Sequence, residues 1–138
     1  MNATTPFDAA QRRLSSDLGL PAPGPYSQDW VYELPEAYRT NTYFEKYLEA
    51  YEDVSYGKIE KSLLMQLLLD IVNDLAAGGG DAFAKAWKPL RMLLRRDHAL
   101  HADLIEHWAL PGETLASAFS LTPFVRDLRT EIQNSDKR

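Results

Sequence analysis

The densest acid–base chemistry in the chain lies in Arg95-Arg96-Asp97-His98-Ala99-Leu100-His101, which continues to His107. On an unbroken helix, Asp97 and His101 are four residues apart and stand one above the other within the apolar face. A carboxylate beside an imidazole can hold a general base or a metal ligand in the right tautomer. The same two groups can equally satisfy backbone atoms or cap a helix, because buried polar atoms need partners in any fold. Asp97, His98 and His101 are the catalytic candidates, and a small metal-dependent or acid–base enzyme built on them is the alternative reading. A metal would draw on His98, His101 and Asp70 or Asp74. The chain has neither His-Glu-x-x-His nor the Glu-x-x-His repeat of di-iron bundles, so no metal and no cofactor is expected. There is no cysteine and no Gly-x-Ser-x-Gly, which removes thiol chemistry, disulfides and the usual serine nucleophile.

A second cluster has binding chemistry. Every tyrosine falls between Tyr26 and Tyr56, with Trp30 and Phe44, among Asp29, Glu33, Glu36, Glu45, Glu49, Glu52 and Asp53. Tyrosine supplies stiff contact area with a polar tip, and surrounding carboxylates steer a cationic partner. Tyr43, Glu45, Tyr47, Glu49, Tyr51, Glu52 and Asp53 are therefore the partner-binding candidates. The plainer alternative is that the tyrosines cover the core and the acids form a solvated face.

Charge supports a basic protein partner. The net charge is −5, and residues 1–60 hold five basic residues against ten carboxylates while residues 61–138 hold ten of each sign. Such a field repels nucleic acid and anionic membrane. Lys88, Arg91 and Arg95 share a face that could meet phosphate, but no helix-turn-helix pattern accompanies them. With no signal-peptide pattern at the N-terminus, a bacterial cytoplasmic protein is expected.

These residues need elements to position them. The sequence predicts an all-α, single-domain orthogonal bundle of five to seven helices spanning 1–138, organised around an apolar helix over about 56–77. Ile59, Leu63, Leu64, Met65, Leu67, Leu68, Leu69, Ile71, Val72 and Leu75 occupy about two thirds of its circumference. Ser62, Gln66, Asp70, Asn73 and Asp74 form the remaining stripe. Ser55 is the expected N-cap and Gly78-Gly79-Gly80 the stop. Thr5-Pro6 starts an amphipathic helix that ends at Gly19, and Thr122-Pro123 repeats that signal before a last helix. Residues 21–25 read as a proline-rich connector, Tyr26 to Leu34 as an extended strand-like segment, and Thr40 or Asn41 as the cap of a tyrosine-bearing helix. Asp81 is expected to cap a short helix broken near Lys88, with a new helix entered at Pro89. That helix either continues to Ala109 or is renewed with Asp97 as a cap. Glu113 to Phe119 is expected to form a short helix, and 134–138 a frayed tail.

Asp29-Trp30-Val31-Tyr32-Glu33, Phe44 followed by Tyr47-Leu48-Glu49-Ala50-Tyr51-Glu52, Glu60-Lys61 with Leu64-Met65, and Leu100-His101 with Ile105-Glu106-His107-Trp108 together resemble small bacterial helical proteins that act as immunity partners of polymorphic toxins. The resemblance covers residues 29–108. It implies an immunity role and assigns no residue a function, while the acidic tyrosine cluster points to a basic target such as a nuclease, bound by a non-enzymatic inhibitor. A structural or homo-oligomerising module is the remaining alternative.

Overall fold

A computed structural model of the protein describes residues 5–23 and 30–136. Among the described residues the fold is all-α, without a strand. The helices are α1 (Pro6–Leu18), α2 (Trp30–Glu33), α3 (Asn41–Tyr51), α4 (Lys58–Gly78), α5 (Asp81–Arg96), α6 (Ala102–Ala109) and α7 (Thr122–Asp136). Two single 3-10 turns lie at Glu36–Tyr38 and Leu115–Ser117. The chain divides into two compact units, Met1–Leu68 and Leu69–Arg138, with the boundary inside α4. Along α4 every apolar residue from Leu63 to Val72 is buried, as its nearly continuous apolar circumference requires. Each such side chain contributes about 2 kcal/mol through removal from water.

In the first unit, Thr5 Oγ1 accepts the Asp8 N–H at 3.1 Å, Pro6 occupies a position that needs no N–H, and Gly19 closes α1 at φ 67°. The Lys46 ammonium donates to the Leu18 carbonyl at 3.0 Å, placing a cation at the negative end of α1. Thr40 caps α3 by accepting from Tyr43 N at 3.3 Å. The strand-like reading of Tyr26–Leu34 is corrected where the chain is described: Trp30–Glu33 is one helical turn. With no partner strand, the segment buries Trp30, Val31 and Leu34, a helical spacing, and leaves Tyr32 outside. Trp30 Nε1 donates to the Pro21 carbonyl at 2.9 Å, anchoring the turn to the connector. Residues 24–29, including Gly24, Pro25 and Tyr26, lie outside the described residues.

The start of α4 also differs from expectation. Gly57, not Ser55, is the N-cap residue: its carbonyl accepts from Lys61 N at 3.1 Å, and its N–H donates to Glu60 Oε2 at 3.1 Å. This is the carboxylate half of a capping box, a device that a glycine at the cap allows Glu60 to supply from three residues on.

The second unit begins with the end of α4, where Gly79, at φ 70°, donates to the Leu75 carbonyl at 3.1 Å. Asp81 is the first residue of α5 and Gly80 its cap. The expected break near Lys88 is absent: α5 runs through Pro89. The carbonyl that Pro89 cannot serve belongs to Lys85, an exposed residue, while Phe83, Ala86, Trp87, Leu90 and Leu94 bury one continuous face. Burial of that face outweighs one lost hydrogen bond. The helix stops at Asp97, and residues 97–101 turn before α6. Neither expected form of residues 89–109 holds as stated, because α6 starts after His101 with no side-chain cap from Asp97. The segment from Glu113 to Phe119 contributes only the 3-10 turn. Residues 134–136, expected to fray, continue α7.

Thr122-Pro123 resembles Thr5-Pro6 in sequence but works differently. The buried Thr122 hydroxyl donates to the Trp108 carbonyl at 2.7 Å, and the Leu121 N–H is received by Asn73 Oδ1 of α4 at 2.9 Å. Arg126 closes the end of α6, donating through Nε to Ala109 at 2.6 Å and through Nη2 to Leu110 and Glu113 carbonyls at 2.7 and 2.8 Å. Leu110 itself sits in the left-handed region at φ 44°.

Candidate functional site

The acidic side of the first unit is built from α1, α3 and the loop into α4. Helical spacing puts Glu45 and Glu49 on one side of α3, and Glu52 and Asp53 follow at its exit. All four are exposed. Asp17, Glu49, Glu52 and Asp53 line an open groove of about 640 Å³ with Lys46 and Tyr56. Lys46 is the cation among the described lining residues, and its ammonium is held by the Leu18 carbonyl and lies 5.4 Å from the Tyr43 ring centre.

The loop is fixed by a polar network. Arg13 donates to the Ser55 carbonyl at 2.9 Å and to Ser55 Oγ at 2.8 Å, and stacks 4.5 Å over the Tyr56 ring. Tyr56 donates its hydroxyl to Asp17 Oδ2 at 2.7 Å, and Asp53 Oδ1 accepts from Ser55 N at 2.8 Å. Burial, then the bond to Asp17, pushes the Tyr56 phenol up to about 12. The Ser55 hydroxyl and then its backbone N–H hold the Asp53 carboxyl below its ordinary value. Glu52 and Asp53 are thus displayed on a loop whose conformation is set from α1.

Two of the three phenols expected at a contact surface lie in the core. Tyr47 and Tyr51 are 0% exposed and Tyr56 is buried too. Tyr47 donates its hydroxyl to the Tyr38 carbonyl at 2.6 Å, and burial raises its pKa strongly. Lys61 lies 4.9 Å over the Tyr51 ring and donates to the Tyr51 carbonyl at 3.0 Å. Tyr43 is half-buried, its ring against Tyr38 and Tyr47 at 5.3 and 5.9 Å. These rings are core because α3 has one face to bury and the aromatic residues are what it carries there. Of the seven partner-binding candidates, the structure brings Glu49, Glu52 and Asp53 to the groove, leaves Glu45 exposed on α3, and sinks Tyr47 and Tyr51. Asp17, Lys46 and Tyr56 join them, with no sequence signal linking residues up to 39 positions apart.

The acid–base candidates lie in the second unit. Asp97 follows the end of α5, and its carboxylate accepts from Arg96 Nε and Nη2 at 3.1 and 2.9 Å. His101 N donates to the Asp97 carbonyl at 3.3 Å, so the two residues remain one turn apart although the helix is interrupted. His101 is 1% exposed, a core histidine, whereas His98 is half-buried at a crevice beside α6 and α7. Among the described residues no group of three or more His, Asp or Glu side chains could hold a metal ion, those of Asp70 and Asp74 included. Arg91 and Arg95, two of the cations of the expected phosphate face, both pair with Glu131. Among the described residues no helix is long and apolar enough to cross a membrane.

No family model, curated protein or solved structure matches the chain.

Proposed function

We propose that this protein is a non-enzymatic binding protein, an immunity or inhibitor protein that holds a basic partner such as a toxin nuclease on the acidic side of its first unit. The observation that carries the reading is the exposure of Glu45, Glu49, Glu52 and Asp53 together on α3 and its exit loop, the last three around a groove whose lysine is occupied. Because Tyr47 and Tyr51 are buried, the recognition chemistry rests on carboxylates. These raise the association rate and give it a steep salt dependence, more than they add affinity one by one.

The test is co-expression with basic proteins encoded beside the gene, followed by association kinetics on the isolated pair. A triple variant, Glu45→Lys, Glu49→Lys and Glu52→Lys, is expected to slow association by about tenfold or more at low salt and to lose protection in cells. A triple variant that binds its partner as fast as the parent would dismiss this surface.

A further inference from the structure

The second unit contains an open crevice of about 140 Å³ beside α6 and α7, lined by Ala102, Ile105 and Ile132 together with His98, Arg129 and Gln133. A dry apolar cavity of roughly 150 Å³ accepts a benzene ring, so the space suits one ring or a branched aliphatic group. Glu106 also lines it and accepts from Arg129 Nε at 2.7 Å. That bond matches the charges of the pair and uses one edge of the planar guanidinium. Among the described residues, neither Arg129 Nη group nor the His98 imidazole makes a hydrogen bond. Glu106 Oε2 and the Gln133 amide also line the space, but the Nη edge of Arg129 is what offers two parallel charged donors there, and the guanidinium is already oriented.

We propose that this crevice binds a small carboxylic acid with a compact apolar body, its ring or branched chain against Ile105 and Ile132 and its carboxylate on the Nη edge of Arg129, with His98 as a second donor. A neutral ligand of the same shape would fill the walls and leave the guanidinium edge unused.

The experiment follows the isoleucine methyl signals of the full chain by NMR during titration with benzoate and, separately, benzamide. Benzoate is expected to shift the Ile105 and Ile132 methyls saturably, with benzamide about tenfold weaker. Arg129→Gln should weaken benzoate by about tenfold and leave benzamide unchanged, while Ala102→Leu, which fills the crevice, should remove both. Arg129→Lys, keeping the charge without the fork, makes the same comparison if Arg129→Gln fails to fold. Absence of a saturable shift with benzoate, or benzoate binding indifferent to the Arg129 or Ala102 variants, overturns the proposal.

Discussion

Arg126 carries the sharpest stability prediction. Its guanidinium donates to three carbonyls at and just after the end of α6, those of Ala109, Leu110 and Glu113. It also holds Leu110 in a left-handed conformation that costs a residue with a Cβ about 1–2 kcal/mol. A hydrogen bond from a charged donor contributes about 1.5–3 kcal/mol net. Arg126 is half-buried and Glu113 exposed, so only the bonds to Ala109 and Leu110 are counted, at the low end. Arg126→Met should then destabilise by about 3 kcal/mol. At roughly 3–5 °C per kcal/mol for a chain of this length, that lowers Tm by about 10 °C. Arg126→Lys, a point charge able to serve one carbonyl well, should lose about half as much. Urea unfolding followed by circular dichroism gives the free energies, and amide exchange shows whether α6 loses protection first. An Arg126→Met protein within about 0.5 kcal/mol of the parent, or a lysine variant equal to it, would refute the account of how this helix ends.

Pro89→Ala should raise stability by about 1–3 kcal/mol in urea unfolding, since the Lys85 carbonyl gains its helical partner; a loss would mean that the ring packs in a way alanine cannot replace. The Tyr56 phenol, held up at about 12, contributes stability that is complete below its unfolded value near 10 and is lost as pH rises through the folded value. Alkaline titration should therefore show a falling stability across that window, flattened in Tyr56→Phe, and an unchanged slope in the variant would show that Tyr56 is not the group responsible. Asp53 has the opposite sign: its contribution is present above the ordinary carboxylate range and is lost as pH falls through its depressed value, so Asp53→Asn should lessen acid sensitivity of the 52–57 loop, read by proton NMR.

The sequence by itself determined that the protein is all-α and where several helices begin and end. The α1 cap at Thr5 and its stop at Gly19 are local consequences of a hydroxyl and a glycine and needed no distant partner, and the apolar spacing of α4 marks it for burial. It also determined the excess of acid in the first 60 residues. What tertiary structure decided is which chemically able groups face outward. The tyrosines were legible as a cluster, but their destination depended on which face of α3 had a core to meet, and Tyr47 and Tyr51 went inward. The same dipeptide, threonine-proline, caps α1 through its hydroxyl yet at Thr122 ties α7 to the Trp108 carbonyl, because only in the second case is a buried acceptor within reach. The local cost of Pro89 favours a break, and packing of the α5 apolar face overrides it. Contacts of long sequence separation, such as Tyr56 with Asp17 or Arg126 with the end of α6, leave no periodic trace in a chain, since they are set by how helices pack and not by spacing along any one of them.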